Sequence, residues 1–498
     1  MSTSSRASGV ASANPHCRGI ERLSSAEKLF CVLFLLTLPF LNPWVRGDGV
    51  GYYAFIRAPL VERNFHFEND WKHADEEFRL GRIDADGNIE PGQYTKTGHL
   101  DNHFTVGPAL LWFPFLAVAH VGVLTANEFG AHVPPDGFSR PYRIAMAFGT
   151  ALCGFLGLWL SYRVARKYLP EYWAAAATLG IWFGSSLIVY MVFNPSWSHA
   201  QSAFTVALFI WYWDRTRGQR TLGQWCVLGL LGGLMTDVYY SNALAMLLPL
   251  TESAVALVAD LRKTDERAAR RELFAGNLLC GLAFVAGLLP TFITRQIIYG
   301  SPFVAGAGYT ENAWRWTAPA RVAVLFSADH GLFSWTPLIP LSLLGLFFLW
   351  QVNRMLAASL GIVFLAYYYL IASYSNWNGL SSFGNRFFVS LTPIFVIGLA
   401  ALLSWIAERG YRAVSRATVG AVVLLVVWNL GMVFQWGTHL IPARGPISWR
   451  QMAYNQVAVV PFQAGGLLER YFLGRKDLMG QIEKQDIEQM KKQHGQGR

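Results

Sequence analysis

The fold is decided by the stretch LFCVLFLLTLPFLNPWVRGDGVGYYAF, residues 29–55, where an apolar block ends in a polar turn. The block from Leu29 to Val45 follows a basic N-terminal tail, a pattern shared by signal peptides and membrane anchors. No small-residue cleavage site follows the block, so we predict an uncleaved first span with residues 1–28 in the cytoplasm. Directly after this span stands Asp48, between two glycines.

Composition places the whole chain in a membrane. Of its 498 residues 53% are hydrophobic, 15% are aromatic and only 14% are charged, with a mean hydropathy of +0.29. An ordinary soluble protein is more polar than this. The net charge of +10 lies mostly in short loops between apolar blocks, where positive charge sets the orientation of a membrane protein. These loops lack the basic and aromatic surface that nucleic-acid binding requires, so this class of partner is excluded.

Apolar blocks recur along the chain, and we predict spans near 29–45, 142–162, 172–192, 200–213, 223–236, 240–259, 273–293, 335–350, 355–373, 386–405 and 417–437. The basic connectors are 163–168, 214–220, 262–272, 352–355 and 408–412, and those without Lys or Arg are 194–201, 237–242 and 373–385. The two kinds alternate, as the positive-inside rule demands. The sequence therefore predicts an all-α polytopic membrane protein with about 11–13 transmembrane helices, of which about eleven are assigned.

One apolar block, residues 107–124, does not fit this alternation. If it crossed the bilayer, every later basic connector would lie outside. We therefore predict a juxtamembrane or re-entrant segment kinked at Pro108 and Pro114, with a true span as the alternative. The first outer loop then covers about 46–140 and contains juxtamembrane helices.

Three regions complete the predicted organisation. The transmembrane domain covers 29–437, a second large outer loop covers about 294–334, and a polar tail covers 438–498. Charges at helical spacing in 469–493 predict a solvated or interface-lying helix in that tail. The turn ADGN, residues 85–88, predicts a surface β-hairpin, because the spacing of a calcium loop is not met.

The carboxylate of Asp48 is the first candidate for chemistry. A Gly-flanked acid at the end of a span is commonly only a turn. Here the acid opens an acid-rich outer loop and is followed at once by Tyr52 and Tyr53. A carboxylate beside the outer surface of the bilayer is placed to take a proton from a hydroxyl that attacks a lipid-anchored group.

These features resemble a known family. An uncleaved first span, an acidic motif in a large first outer loop, the Pro-containing segment GPALLWFPF (107–115) and many short-looped spans look like the GT-C superfamily of membrane glycosyltransferases. The likeness is nearest to its protein O-mannosyltransferase and lipid A aminoarabinose transferase branch. Two further similarities are a span at 139–170 that begins at an arginine and a Gly-rich span at 229–250 that ends in a polar break.

The resemblance implies a polyprenyl-phosphate-linked sugar as donor, with Asp48 as general base on the acceptor hydroxyl and inversion at the sugar carbon. Members often carry paired acids at this position, but this chain has GDG. Candidates for a second carboxylate are Asp70, Glu68 and Asp101, without a ranking. Some members have a basic residue where Asp237 stands, which puts phosphate binding at that break in doubt.

A departing lipid phosphate needs a cation or a metal near the outer face. Arg386 is the best placed, because it opens the tenth predicted span after a loop of small residues. A guanidinium binds two phosphate oxygens at once. The alternative is that Arg386 only anchors the end of a span. Arg295 and Arg321, which flank the second outer loop, are weaker candidates.

Other predicted substrate contacts lie near these residues. His103 and His199 are beside the membrane, and Asp329 with His330 stands at the mouth of a span, where a helix cap is the alternative reading. Trp377, like the tyrosines after Asp48, could stack on a sugar. No His pair has metal-ligand spacing, so no cofactor is assigned, although a divalent metal is used by some branches of the superfamily.

The predicted function is a glycosyltransferase of the hexosyl- or pentosyltransferase class at the outer face of the cytoplasmic (cell inner) membrane, where this multi-pass protein would act in the biosynthesis of cell-envelope glycans. Its predicted partners are a polyprenyl-phosphate sugar donor, membrane lipid, and a lipid, glycan or protein acceptor. The main alternative is a transporter or flippase of a lipid-linked or anionic substrate, which would place charge at mid-depth in its spans. A structural membrane subunit is the third reading. The five cysteines are not placed to pair in an outer loop, so no disulfide is expected.

Overall fold

A computed structural model describes residues 23–260, 267–304 and 313–495 of the chain. Most of the described residues are folded into helices. In chain order the α-helices are α1 (Ser25–Thr37), α2 (Asp48–Arg57), α3 (Glu68–His73), α4 (Glu76–Arg79), α5 (Gly107–Glu128), α6 (Arg140–Tyr168), α7 (Glu171–Phe183), α8 (His199–Thr216), α9 (Leu222–Val238), α10 (Leu247–Asp260), α11 (Arg267–Gly287), α12 (Leu289–Tyr299), α13 (Ala323–Phe326), α14 (Leu332–Trp335), α15 (Leu338–Val352), α16 (Arg354–Ser373), α17 (Thr392–Arg409), α18 (Arg412–Gly437), α19 (Trp449–Ala458), α20 (Val460–Leu473) and α21 (Arg475–Gly495).

Short 3-10 or π segments join several of these helices. They are Leu38–Phe40, Ala58–Glu62, Pro91–Gln93, Val189–Phe193, Tyr240–Met246 and Arg386–Leu391. The predicted hairpin is present as a tight turn, closed by an antiparallel bridge between Ile83 and Ile89. The four cysteines within the described residues are free.

Six helical stretches of the described residues are long and apolar enough to cross a membrane, and a seventh is added if the bent pair Ala269–Gly287 and Leu289–Tyr299 is one span. The six are Gly107–Glu128, Arg140–Tyr168, Tyr240–Ala259, Arg354–Ser373, Arg386–Arg409 and Arg412–Gly437. Two shorter apolar helices, Leu222–Val238 and Leu338–Val352, lie beside them. The predicted all-α polytopic membrane fold is confirmed. The other predicted spans coincide with helices that are shorter or more polar.

The basic connectors meet at one end of the bundle. The carboxylate of Glu27, at the start of α1, lies 2.5 Å from Arg163 near the end of α6. The next basic connector joins them, because Lys167 lies 2.8 Å from Asp214 at the end of α8. The connectors without Lys or Arg meet at the opposite end, around Asp48. This segregation is what the positive-inside pattern predicts for two sides of a membrane.

Helix α5, which contains the block at 107–124, lies beside only one half of α6. The Trp112 indole donates to Thr150 at 2.8 Å, and His120 lies 2.6 Å from the Tyr142 hydroxyl, so the two helices run antiparallel. Beyond Thr150, α6 continues to Tyr168, about 27 Å further toward the basic end. Helix α5 is continuous despite its internal proline. Since this helix is also among the six that are long and apolar enough to cross, its juxtamembrane placement stays a prediction.

The C-terminal tail returns to the first loop. Helix α21 packs against α4, and the carboxylate of Glu483 accepts a hydrogen bond from the Glu76 backbone at 3.0 Å. The tail helix is therefore not free in solvent. Since α1 starts at the basic end and α21 lies at the other, the chain between them crosses an odd number of times. The predicted count of eleven spans is also an odd number.

Helices α15 and α17 approach each other closely at two glycines. Gly345 in α15 faces Gly398 in α17, and a Cβ at Gly345 would collide with the backbone oxygen of Gly398. Small residues allow membrane helices to approach this closely. The contact fixes the position of α17, whose preceding turn carries Arg386.

We expect Gly345→Ala to destabilise the protein by about 1–3 kcal/mol, because the added methyl group must separate two helices. Gly361→Ala is the matched control on α16, where an added Cβ meets open space. Alanine also favours helix over glycine, so the control should be neutral or stabilising. Thermal unfolding in detergent checks both variants. Equal unfolding temperatures for the two would contradict the close packing.

Candidate active site

A cavity of about 490 Å³ opens at the end of the bundle opposite the basic connectors. It lies where the start of α2, the break after α9 and the turn before α17 meet. Its polar lining includes Asp48, Tyr52, His103, His199 and Arg386, five residues that were predicted as site residues from the sequence. The cavity joins residues more than 300 positions apart in the chain.

Asp48 is held at the mouth of the cavity by its neighbours in the turn. Gly47 has a φ of 50°, a left-handed conformation that favours glycine. At Gly49 a Cβ would collide with the side chain of Ser196, so the turn packs directly against the segment that precedes α8. Glycine is therefore favoured at position 47 by the backbone conformation and at position 49 by close packing. Asp48 begins α2, where the helix dipole favours a negative charge.

Arg386 faces Asp48 across the cavity. Its Nη1 lies 2.7 Å from Oδ2 of Asp48, and its guanidinium lies 4.4 Å from the centroid of the Trp197 ring. The arginine side chain is 11% exposed and that of the aspartate is 35% exposed. Although the two charges are paired by distance, Nε and Nη1 of Arg386 find no hydrogen-bond acceptor among the described residues. Buried donors of this kind are rare in folded proteins, and they remain available to an anionic group that enters the cavity.

Aromatic rings and histidines form the cavity wall. His199 is packed between rings, with centroids 4.7 Å from Tyr190 and 5.7 Å from Tyr239. Its Nδ1 has no hydrogen-bond partner within the part of the chain that the structure describes. On the other side, His103 stacks on Phe104 at 4.3 Å. Burial lowers the pKa of His103, so its ring is neutral at pH 7.

The loop that carries His103 is fixed by Arg295. The guanidinium of Arg295 donates to the His103 carbonyl and to the Tyr240 hydroxyl, both at 2.8 Å. Nearby, the Tyr299 hydroxyl donates to Asp101. From the sequence, Arg295 was a weaker candidate for the phosphate site and Asp101 was one of three unranked candidates for a second carboxylate. Their contacts hold the loop in place, and neither lines the cavity.

Two predicted residues lie on the other side of α2. The Tyr53 hydroxyl donates to the Gly137 carbonyl at 2.7 Å, away from the cavity. Asp70 is 4% exposed and accepts two hydrogen bonds from Arg57, at 2.6 and 2.5 Å. Neighbouring residues on a helix point about 100° apart, so Tyr53 can point away from the cavity that Tyr52 lines.

Three further predicted residues brace the turn before Arg386. Asp329 accepts a hydrogen bond from the Asn378 amide at 2.8 Å, and His330 Nδ1 lies 3.0 Å from the Asn378 carbonyl. The carbonyl of Trp377 accepts from Asn385 at 3.0 Å. Burial lowers the pKa of His330, which keeps the ring neutral and its Nδ1–H available as a donor. None of these three residues lines the cavity.

Several lining residues were not predicted as site residues. They are Tyr239, Tyr240, Trp314 and Tyr374. The first two belong to the polar break at the end of the Gly-rich span, where only Asp237 was considered. A pair of tyrosines at a helix break on the side of Asp48 was the available signal. Among the described residues, no group of three or more His, Cys, Asp or Glu could hold a metal ion.

No protein-family model matches the sequence, and no curated protein matches it. Two similar solved structures are ArnT from Cupriavidus metallidurans bound to undecaprenyl phosphate and the same protein in the apo state. The first is 15% identical with a TM-score of 0.44 and the second 14% identical with a TM-score of 0.45. Each alignment covers 82% of this chain, and 70% or 71% of the ArnT chain. By its long apolar helices the chain is a multi-pass membrane protein, and these two ArnT structures are proteins to which it is similar.

Proposed function

We propose that the protein transfers a sugar from a polyprenyl-phosphate donor to an acceptor hydroxyl at the outer face of the cytoplasmic membrane. The observation that carries the proposal is the pairing of a partly exposed carboxylate, Asp48, with a buried guanidinium, Arg386, in one cavity. A carboxylate can accept a proton, and a guanidinium can hold a phosphate. Sugar transfer from a lipid phosphate needs both.

The leaving group is the first requirement. When the bond between the anomeric carbon and the phosphate oxygen breaks, negative charge grows on the phosphate. The Arg386 guanidinium is fixed over Trp197, and its Nε, which has no acceptor among the described residues, can donate to a phosphate oxygen. A preorganised cation of this kind stabilises the transition state more than a mobile one.

The attacking group is the second requirement. As the acceptor oxygen bonds to the anomeric carbon, its proton passes to Asp48 and the polyprenyl phosphate departs. Of the described residues that line the cavity, Asp48 is the one carboxylate. A double displacement through a glycosyl-enzyme requires a second carboxylate as nucleophile. One base therefore favours a single displacement, which inverts the configuration of the sugar.

The cavity also bears on the transporter alternative. A transporter of an anionic substrate is expected to place charged groups near the middle of its spans. Here the two charged groups that line the cavity are at helix starts, Asp48 at α2 and Arg386 in the segment before α17. The aromatic wall, with Tyr52, Tyr239 and Trp314, offers faces on which a sugar ring can stack.

Mass spectrometry of envelope lipids and glycans, from cells with and without the gene, tests the function. We expect one product to lose a sugar-sized mass when the gene is removed and to regain it when the gene is restored. Identical envelope lipids and glycans in both strains would contradict the proposal.

A further inference from the structure

The turn that carries Asp48 is attached to the C-terminal tail by an ion-pair network. Arg46, two residues before Asp48, donates to Glu77 in α4 at 3.0 Å and to Asp486 in α21. The side chains of Arg46, Glu77 and Asp486 are 12%, 12% and 9% exposed. The arginine is thus held between a first-loop acid and an acid 440 positions away in sequence.

Two more side chains complete the network. His439, just after α18, lies 2.8 Å from Asp486, and Arg444 lies 3.0 Å from Glu77. Arg444 also donates to Ser381, in the loop that leads to Arg386. The network therefore touches the segments that carry both charged residues of the cavity. The tail supplies one of its two carboxylates.

The carboxylate of Asp486 is ionised in this setting. Its burial alone would raise its pKa, but the hydrogen bond with His439 and the charge of Arg46 outweigh burial and hold the pKa below its usual value. An ionised, largely buried acid keeps a guanidinium in one place far better than a solvated surface pair does. On its other side, the Arg46 carbonyl accepts a hydrogen bond from the Trp197 indole at 3.0 Å.

We propose that Asp486 is a positioning residue, which acts through Arg46 to hold the Asp48 carboxylate in the cavity. The tail helix α21 is then a structural part of the active site. This inference rests on the proposed function in so far as Asp48 is the base. Loss of the Asp486 charge would leave Glu77 as the remaining ion-pair partner of Arg46 among the described residues and would loosen the turn. A displacement of about 1 Å at a reacting group costs on the order of 100-fold in rate.

The test compares Asp486→Asn with Glu488→Gln in the full-length protein in nanodiscs. Glu488 is exposed on the same helix, and both changes remove one negative charge without changing the shape of the side chain. The first readout is hydrogen exchange of the segment 44–55. We expect faster exchange there in the Asp486 variant and unchanged exchange in the Glu488 variant. Unchanged exchange in both variants would overturn the proposal.

The second readout separates positioning from folding and from donor binding. Asp486→Asn is expected to lower the yield of the gene-dependent glycan 10- to 100-fold, as an order of magnitude, while binding of undecaprenyl phosphate stays within about threefold of the wild type. Asp486→Glu, which keeps the charge, should recover most of the transfer. Equal loss in the Asn and Glu variants would show that the charge does not matter and reject the role.

A double variant provides a test that can still be interpreted if one of the single variants folds poorly. If Arg46 and Asp486 act as one unit, Arg46→Gln with Asp486→Asn should slow transfer no more than the worse single variant. Additive losses would overturn the coupling. If the wild type makes no gene-dependent product, the proposed function fails, and the exchange of segment 44–55 still decides whether the tail holds the turn.

Discussion

Asp48→Asn is expected to abolish sugar transfer while the protein stays folded and inserted. Asparagine has the shape of aspartate but cannot accept the proton of the acceptor hydroxyl. General-base catalysis contributes about 10²–10⁴ in rate, and a loss of this size is predicted for the gene-dependent product. The product is measured by mass spectrometry of the envelope, with the amount of folded protein determined in the same cells.

The Asp48→Asn variant should bind polyprenyl phosphate as tightly as the wild type or more tightly. In the structure Asp48 competes with any phosphate for Arg386, because the two side chains lie 2.7 Å apart. Removing the negative charge removes this competitor. Binding of undecaprenyl phosphate to the purified variant checks the expectation. Full transfer activity, or a loss of binding equal to the loss of transfer, would contradict the role of Asp48 as base.

Arg386→Ala is expected to weaken binding of polyprenyl phosphate by about 2–5 kcal/mol, or about 30-fold and more, since it removes a desolvated charge that faces the phosphate. The affinity of Arg386→Lys for polyprenyl phosphate should lie between those of the wild type and Arg386→Ala, because an ammonium group offers a point charge without the planar fork of the guanidinium. Titration of undecaprenyl phosphate in nanodiscs measures both.

Arg321→Ala is the matched control, because Arg321 is an exposed cation near the second outer loop and does not line the cavity. Its affinity for undecaprenyl phosphate should equal that of the wild type. Unfolding temperatures of the Arg386 variants show whether any loss follows from the structure as a whole. An Arg386→Ala protein that is folded and binds as tightly as the control would exclude this arginine as the phosphate site.

The sequence predicted well what depends on local pattern. Apolar length and loop charge give a polytopic helical fold, and the two ends of the bundle carry the connectors that this pattern assigned to opposite sides. Asp48 was singled out as the acid directly after the first span, and Arg386 as the cation that opens a predicted span after a loop of small residues. Their separation of 2.7 Å could not be derived, because no local pattern fixes which loops meet.

The rest depends on directions and contacts that a linear pattern does not contain. Tyr52 faces the cavity and Tyr53 does not, which follows only once the segment is known to be a helix and its buried face is known. Asp70 was a candidate because it is an acid of the first loop, but Arg57 takes up both of its oxygens. The contact between Arg46 and the tail joins distant parts of the chain, which no periodicity predicts.

The central claim is that position 48 opens to a cavity on the outer side of the membrane where a polyprenyl phosphate binds. Labelling of Asp48→Cys, with the five native cysteines replaced by serine, tests it most directly. An impermeant thiol reagent should modify the new cysteine from the outer side of intact cells, and in purified protein undecaprenyl phosphate should slow the modification. Modification only from the cytoplasmic side, or at a rate that undecaprenyl phosphate leaves unchanged, would contradict the account.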